Sequence, residues 1–417
     1  MREVLSSLDI GSSKIKLVVA EVLNDEVNII CALEEQSRGV KKGAIYNPDD
    51  VEYAIKKLLK KAEEALGFKI NKLIVSVNED SCSFKVGEAQ IDISDEGEVH
   101  ANSIQKVLQQ SYKGALEAGN ELVTIIPIKY IVDDQVTINP KGMKGNSLQV
   151  RSVVVSVPKR DIYDMAKIIE KCNCEVVDVM IPSIGAFYAH KEYIESKNSL
   201  IIKDKTGIIV DIGAETTNIG VINKGIIINN NVLDFGGSLI DQDISFIYKI
   251  DMDKAKEIKE RFAVANKRKA SALEKEEVVN SLGEKVTINQ FELSEVCRPR
   301  LQEILKKIKN EINDLTKKEI SYIIITGGLT EFNGFSLEVE SVFGNLAKVG
   351  SIKIIGARDN KYANAIGMIK YFHEKLRLRD KEYSMLNQEE LDSLSGIGKN
   401  KNNSSILNKV FGMFFEN

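Results

Sequence analysis

The chain of 417 residues is 43% hydrophobic and carries a formal net charge of −4 at pH 7. Its length allows about two to four domains, and its apolar content is enough for a sizeable core. The slightly negative charge argues against nucleic acid as the main partner. Cysteines and histidines are scattered, and the one close pair, Cys172 and Cys174, has no second pair to complete a metal site. The chain runs directly into a predicted strand and no apolar run reaches about 18 residues, so we expect a cytosolic protein with reduced thiols and no secretory signal.

Residues 4–22 predict a hairpin of two strands around a short polar turn. The turn reads Asp-Ile-Gly-Ser-Ser-Lys, beginning at Asp9 and ending at Lys14. Small residues in such a turn let backbone N–H groups approach an anion, and the Asp9 carboxylate could hold Mg²⁺ through its waters. Lys14 would add a point charge for phosphate groups. An ordinary hairpin is the alternative reading of this segment.

The next segments predict a helix, a strand and then an inserted module. Asn47 and Pro48 form a helix-start signature, and apolar residues recur along one helical face up to about Gly67. Residues 72–77 predict the following strand. From about residue 81 to 177 the pattern changes to short alternating strands and helices, which predict a small α+β module suited to protein contacts.

Residues 207–225 repeat the pattern of the first hairpin about 200 residues later. An apolar strand delivers Asp211, and a turn containing Gly213, Ala214 and Thr216 leads into a second strand. A repeat at this distance indicates a duplicated domain. Two such turns facing each other could hold one phosphate chain from both sides, and Asp211 could hold Mg²⁺ through its waters.

Glycine pairs mark two further turns in the second half of the chain. Gly236 and Gly237 precede a predicted helix, and Gly327 and Gly328 follow the apolar strand that begins at Tyr322. A double glycine lets the backbone lie flat against a base or ribose, although an ordinary strand-to-helix turn is the alternative.

In this order and spacing, the three turn segments resemble the phosphate-1, phosphate-2 and adenosine motifs of the actin, Hsp70 and sugar-kinase superfamily. The resemblance implies an α/β protein with an actin-like ATPase fold, in which two lobes built on duplicated ribonuclease-H-like domains close on ATP. It also implies that Mg²⁺ is held by Asp9 and Asp211. The residues expected to bind the nucleotide are Asp9, Gly11, Ser12, Ser13, Lys14, Asp211, Gly213, Ala214, Thr216, Gly236, Gly237, Lys259, Gly327, Gly328 and Leu329.

Three residues depart from the superfamily pattern. Ile181 stands where hydrolytic relatives carry an acidic or amide residue that positions water, so we expect slow ATP hydrolysis at most, unless Glu215 substitutes. Glu215 itself replaces a usual glycine, and a carboxylate there would repel phosphates. Lys256 stands where relatives often have glutamate, which weakens the inference of ribose binding, and a solvated charged helix face is the alternative.

The end of the chain changes composition twice. Residues 380–403 are rich in Asn, Lys, Ser, Glu and Gly and predict a flexible linker. Residues 404–417 predict an amphipathic helix that binds a membrane surface, with docking on the protein's own core as the alternative. The apolar face of this helix consists of Ile406, Leu407, Val410, Phe411, Phe414 and Phe415.

Several segments resemble the bacterial FtsA family of actin-like cell-division proteins. The loop over residues 37–47 is similar to the Gly-x-x-Lys-Gly segment of that family, and the inserted module, linker and terminal helix are similar to its organisation. The helix that contains Pro299 resembles the FtsA helix whose region receives the acidic C-terminal tail of FtsZ. Arg300 and Glu303 are therefore expected at that contact, with an ordinary surface salt bridge as the alternative.

The resemblance implies an adaptor at the division site, on the cytoplasmic face of the membrane. Such a protein would bind ATP, form filaments, tether the FtsZ ring and recruit other division proteins through its module. A pilus-assembly adaptor similar to PilM is the main alternative, and a small-molecule kinase of the same superfamily is the other. The predicted organisation is a first lobe over 1–80 and 178–205, a module over 81–177, a second lobe over 206–379 with a subdomain at 253–320, a linker over 380–403 and a membrane helix over 404–417.

Overall fold

The computed structural model describes residues 3–93, 97–197, 205–379, 381–386 and 391. In chain order, the elements of the first half are β1 (Glu3–Ile10), β2 (Lys14–Leu23), β3 (Glu26–Gln36), β4 (Val40–Lys41), β5 (Ala44–Ile45), α1 (Pro48–Leu66), β6 (Lys72–Ser76), β7 (Ser83–Asp92), α2 (Ala101–Lys113), β8 (Asn120–Val132), β9 (Gln135–Thr137), β10 (Ser147–Pro158), α3 (Lys159–Lys171), β11 (Glu175–Met180) and α4 (Pro182–Lys197). Those of the second half are β12 (Thr206–Ile212), β13 (Thr217–Asn223), β14 (Ile226–Leu233), α5 (Ser238–Tyr248), α6 (Met252–Arg261), β15 (Lys275–Val279), β16 (Lys285–Asn289), α7 (Gln290–Leu315), β17 (Ile320–Thr326), α8 (Phe335–Phe343), β18 (Ala347–Val349) and α9 (Ala363–Leu378).

The first lobe is a five-stranded sheet in the order β11-β6-β1-β2-β3. Strands β1, β2 and β3 are antiparallel neighbours, whereas β6 and β11 run parallel to β1. The crossover helix α1 begins as the sequence predicts, because the Asn47 side chain accepts from the N–H of Asp49, and it ends at Gly67 with φ 79°. Its apolar face packs on the sheet and places Val51, Ile55 and Leu58 in the core.

The second lobe repeats this arrangement. Its sheet has the order β14-β13-β12-β17-β18, again with an antiparallel three-strand meander followed by two parallel strands. The central strand of each sheet carries an aspartate near its carboxyl end, Asp9 in β1 and Asp211 in β12. The predicted duplication of an α/β domain is therefore confirmed at the level of strand order and direction.

The inserted module is a separate four-stranded sheet in the order β7-β10-β8-β9, packed against α2. It has its own small core, which includes Val107, Tyr130 and Leu148. Helix α3 contacts α1 and β11 of the first lobe as well as β8 and β10 of the module, and β11 pairs with β6 in the first lobe. The boundary predicted at residue 177 falls within β11 and stays a prediction.

Two helices, α4 and α9, connect the lobes and cross each other at glycines. A Cβ atom on Gly367 would lie 1.6 Å from the carbonyl oxygen of Gly185, so the two backbones touch directly. Asn364, one turn earlier on α9, also lies against Gly185. The module is tied to the same helix, because the hydroxyl groups of Thr124 and Tyr371 are 2.8 Å apart.

The residues after α9 do not leave the protein where the sequence predicts a linker. The N–H of Met385 donates to the carbonyl of Val4 at 2.9 Å, and Met385 and Leu386 are buried against the first lobe. The prediction is wrong for residues 381–386, because two large apolar side chains interrupt an otherwise polar stretch and find a place beside β1. The predicted membrane helix over 404–417 lies outside the described residues. In the part of the chain that is described, no helix is both long and apolar enough to cross a bilayer.

The glycine contact between α4 and α9 predicts that Gly367→Ala destabilises the protein strongly. The added methyl group must displace backbone rather than a movable side chain, so we expect a loss of about 3 kcal/mol or more in the free energy of unfolding. Gly114→Ala is the matched control, because its backbone has ordinary φ and ψ and no atom lies within 4 Å of the added Cβ. Denaturant unfolding of the two variants checks this, and equal stabilities would contradict the proposed close packing.

Candidate functional site

A cavity of about 420 Å³ opens between the two lobes, a size typical of small-molecule sites. The turn after β1, the turn after β12 and the turn after β17 all reach its wall. Of the residues predicted to bind a nucleotide, all but Gly236 line this cavity. Gly236 lies behind the wall, where an added Cβ would be 2.4 Å from the carbonyl oxygen of Gly213.

The two hairpin turns have the same backbone arrangement. The N–H of Gly11 donates to the carbonyl of Lys14, and the N–H of Gly213 donates to the carbonyl of Thr216. Among the described residues, the N–H groups of the two positions that follow each glycine donate to no protein acceptor. Successive free N–H groups of this kind form an anion-binding concavity.

Gly327 closes the third side of the site and depends on being glycine. Its φ is +96°, and a Cβ there would lie 2.2 Å from Oδ1 of Asp211. Any side chain would therefore push into the carboxylate that ends β12. The predicted double-glycine turn is thus required by the approach of β17 to this aspartate.

The two central-strand aspartates differ in how the protein satisfies them. Asp9 accepts hydrogen bonds from Lys16 at 2.9 Å, Asn364 at 2.6 Å and Ser76 at 3.2 Å. The side-chain carboxylate of Asp211 accepts no hydrogen bond from any described residue. Burial raises the pKa of Asp211 to about 6, and the negative charge of Asp9 adds to this while Lys16 opposes it. Asp211 is therefore the carboxylate with free acceptors toward the cavity.

Lys16 is a residue of this site that the sequence reasoning missed. Burial lowers the pKa of its ammonium group, but the Asp9 carboxylate outweighs this and the pKa lies above its ordinary value. The available signal was its place in β2, directly opposite Asp9 in the hairpin register and between two buried apolar residues. Lys14, the predicted phosphate lysine, lines the cavity but pairs with Glu34 at 2.5 Å.

Other contacts span the cleft between the lobes. The Glu215 carboxylate accepts from the backbone N–H of Lys42 at 2.7 Å, so it points to the first lobe rather than simply into solvent. Lys42 also pairs with Asp234 at 3.0 Å. Lys256, from the second lobe, donates to the hydroxyl of Ser13 at 2.5 Å. Two of the residues that depart from the superfamily pattern therefore make cross-cleft contacts.

Ile181 is fully buried and contributes nothing to the cavity wall, whereas the next residue, Pro182, does. Glu79, which the sequence also did not indicate, contacts the residue after Pro182. Its Oε2 accepts from the N–H of Ser183 at 2.8 Å, and its Oε1 has no partner in the described structure. Burial raises the pKa of Glu79 to about 7, the Ser183 N–H opposes this, and the charge of Asp211 adds to it.

Arg300 and Glu303, the predicted partner contacts, lie together on α7 away from the cavity. The Arg300 guanidinium donates to both oxygens of Asp243, at 2.7 and 2.9 Å, and to Glu303 at 2.6 Å. Arg300 is about one third exposed. The arginine that the sequence assigned to a partner carboxylate is thus already held by carboxylates of its own chain.

Family comparisons agree with this two-lobed geometry. Residues 208–367 match the family described as Cell division protein FtsA, and residues 81–156 match the SHS2 domain inserted in FTSA. Together the two matches cover more than half of the chain. The chain belongs to the FtsA family. It is therefore an actin-like cell-division protein, as the resemblance implied.

Individual FtsA proteins are similar along most of the chain. FtsA of Bacillus subtilis (strain 168) is 27% identical over 396 residues, which cover 93% of this chain and 88% of the relative. FtsA of Borreliella burgdorferi is 27% identical over 427 aligned positions, covering 100% and 99%. FtsA of Streptococcus pneumoniae is 26% identical, covering 88% and 79%.

Solved structures confirm the actin-like fold. The PilM-PilN type IV pilus biogenesis complex aligns with a TM-score of 0.58 at 14% identity, covering 87% of this chain and 97% of that one. MreB5 of Spiroplasma citri bound to ADP aligns with a TM-score of 0.52 at 12% identity, covering 90% and 97%. At these identities, the likeness concerns the fold alone.

The buried carboxyl of Glu79 predicts a pH-dependent stability difference for Glu79→Gln. The folded pKa of Glu79, about 7, lies above the ordinary 4.5. Its contribution to the free energy of unfolding is therefore fully present below pH 4.5 and is lost as the pH rises from 4.5 to 7. The glutamine cannot ionise, so we expect it to be more stable than wild type at pH 8 by roughly 3 kcal/mol, with the gap closing by pH 4.5. Urea unfolding across this range measures it.

The control is Asp80→Asn, which removes an exposed carboxylate one residue away. A stability change in Glu79→Gln that is the same at every pH would show that Glu79 does not carry the expected buried, raised pKa.

Proposed function

We propose that this chain binds ATP in the cavity between its lobes, forms filaments, and tethers FtsZ to the cytoplasmic face of the membrane at the division site. One observation carries the proposal: in a member of the FtsA family, three separate turns line one cavity. Two of them have backbone N–H groups without a protein acceptor, and the third has two glycines. Recruitment of other division proteins through the inserted module belongs to the same proposal. The MreB5 structure that shares the fold is bound to ADP, which supports a nucleotide as the ligand.

The residues around the cavity suit a nucleotide with a divalent cation. The two hairpin turns offer unpaired N–H groups to phosphate oxygens, and Gly327 and Gly328 leave a flat backbone surface beside them. Asp211 has free acceptors, as a hydrated Mg²⁺ requires, whereas Asp9 already accepts three hydrogen bonds from the protein. A bound cation would supply charge neutralisation for the phosphates and for Asp211.

ATP hydrolysis is proposed to be slow. Ile181 offers no polar atom and is buried, and Glu215 is engaged by the N–H of Lys42. Neither residue is arranged to orient an attacking water. A long-lived ATP state suits a protein whose role is to assemble and hold, since assembly would not be limited by rapid turnover.

Membrane attachment is proposed to depend on residues 404–417. Six large apolar side chains on one helical face would contribute roughly 1.5 to 3 kcal/mol each before the costs of helix ordering and partial insertion. A single copy would therefore bind reversibly. A filament carrying many copies would bind firmly, because each further attachment is intramolecular.

Co-sedimentation with anionic liposomes tests the proposal. We expect the full chain to pellet with liposomes, a version ending at Asn403 to remain in the supernatant, and ATP to increase the pelleted fraction of the full chain several-fold. Asp211→Asn in the full chain is the nucleotide control and should pellet at the ATP-free level. Pelleting of the shortened version would contradict the anchor, and equal pelleting with and without ATP would contradict ATP-driven assembly.

Helix α7 is the proposed contact for the acidic FtsZ tail. Arg300 has the fork geometry that carboxylates favour, and it is part-exposed, although Asp243 currently occupies that fork. An FtsZ carboxylate would therefore compete with Asp243 for the guanidinium. This competition makes the proposed contact specific enough to test with single substitutions.

Asp243→Asn should strengthen binding of an FtsZ-tail peptide several-fold, because it releases Arg300, and Arg300→Gln should weaken it about tenfold. Lys317→Gln removes an exposed positive charge two residues after the end of α7, and it controls for a general loss of positive charge. Fluorescence anisotropy of a labelled peptide measures the affinities. An unchanged affinity in Arg300→Gln would place the FtsZ site elsewhere.

A further inference from the structure

Five lysines line the cavity, and four of them form ion pairs with carboxylates. The pairs are Lys14 with Glu34 at 2.5 Å, Lys16 with Asp9 at 2.9 Å, Lys259 with Asp241 at 2.7 Å and Lys361 with Glu34 at 3.0 Å. Within the described residues, the fifth, Lys256, forms no ion pair. Its ammonium group has one short contact, the neutral hydroxyl of Ser13 across the cleft.

This arrangement leaves the Lys256 charge incompletely compensated. Burial lowers the pKa of Lys256, and the more distant carboxylates of Glu260 and Asp241 only partly offset this. Asp241 is already bonded to Lys259. An ammonium group has three donors, and Ser13 accepts only one of them, so two N–H donors have no acceptor among the described residues, and Lys256 lines the cavity.

The position of the Lys256 ammonium group defines what it can reach. Ser13 belongs to the first hairpin turn, where the N–H groups of Ser12 and Ser13 donate to no described protein acceptor. The Lys256 ammonium group, which comes from the second lobe, therefore lies beside the anion-binding concavity of the first lobe. Free backbone donors and an incompletely compensated cation at one point favour an anion more than a neutral hydroxyl.

We propose that Lys256 is a phosphate-binding residue, and that the phosphate chain of a nucleoside di- or triphosphate is held between it and the Ser12–Ser13 turn of the opposite lobe. This inference rests on the proposed binding of ATP in the cavity. It assigns Lys256 to the phosphates rather than to the sugar. A phosphate oxygen replaces the Ser13 hydroxyl as the acceptor and converts a neutral contact between lobes into a charged one.

Two consequences separate this role from a purely structural one. The contribution of Lys256 should grow with the number of phosphates, because a charge-assisted bond strengthens with the charge of the acceptor. It should also depend on ionic strength, as contacts between a partly exposed cation and an anion do. A contact that merely held the lobes together would affect all nucleotides alike.

Isothermal titration of the full chain with ATP, ADP and AMP, each with Mg²⁺, tests the assignment. We expect Lys256→Gln to weaken ATP and ADP binding at least tenfold and AMP binding by less than twofold. Lys256→Arg should recover most of the ATP affinity. Lys254→Gln is the matched control, because this lysine lies on the same helix, pairs with Glu257 at 2.9 Å and does not line the cavity.

Raising the salt concentration should reduce ATP affinity more steeply in wild type than in Lys256→Gln. Equal thermal unfolding temperatures of the variants establish that they are folded. If wild type binds ATP and Lys256→Gln binds it equally well, or loses ATP and AMP affinity by the same factor, the phosphate assignment is overturned while the proposed function stands. If wild type binds none of the three nucleotides, the proposed function fails and the assignment fails with it.

Discussion

Two carboxylates of like charge, Asp9 and Asp211, are placed at the same cleft because the two lobes repeat one domain. Each ends a central strand, so the duplication brings both to the cavity, where a low dielectric strengthens their repulsion. Lys16 and Asn364 donate hydrogen bonds to Asp9 and to no oxygen of the Asp211 carboxylate, although the charge of Lys16 also lowers the pKa of Asp211. Asp211 is left with free acceptors and with a pKa that burial raises to about 6. The proposed binding of a cation beside Asp211 rests on this asymmetry.

Asn364 joins the cleft to the two helices that connect the lobes. Asn364 lies on α9, donates to Asp9 and packs against Gly185 of α4, one turn from the point where the two connecting helices touch. Because α9 packs on β1, β2 and β6, Asn364 and Asp9 belong to the same lobe, whereas α4 packs on β12 and β13 of the other. Because both helices are closely packed at glycines, their relative position is defined by backbone contact and not by adjustable side chains.

Much of the fold could be predicted from the sequence because it rests on repeated local patterns. Apolar runs ending in Asp9 and Asp211, with small residues after each, indicate two equivalent hairpins, and the double glycine at Gly327 marks the third turn. Glycine or another small residue is needed at these turns because the backbone there turns tightly or has a positive φ. The cavity they line was therefore predictable residue by residue, even though no single motif identified it.

What could not be predicted depends on contacts between distant segments. In the sequence, Lys16 has the pattern of an outward-facing charge on a strand. It becomes part of the site because it lies opposite Asp9 in the hairpin and because the second lobe, which carries Asp211, packs close to it. Glu79 lies in an ordinary polar loop of the sequence, and it is buried in the structure by contacts with Ser183 and with Asn230 of the second lobe. Helix α3 contacts both the module and the first lobe, so its sequence pattern alone does not assign it to either of them.

Strand β1 contacts the cavity at one end and the residues after α9 at the other. Asp9 near its carboxyl end faces the cavity, while Val4 and Ser6 near its amino end contact Met385. Met385 and Leu386 are therefore packed on the first lobe. Lys256 and Glu215, in contrast, reach across from the second lobe to the first, and both contacts lie beside the cavity. Strand β1 thus contributes to the cavity at one end and holds Met385 at the other, and the second lobe reaches the same cavity from across the cleft.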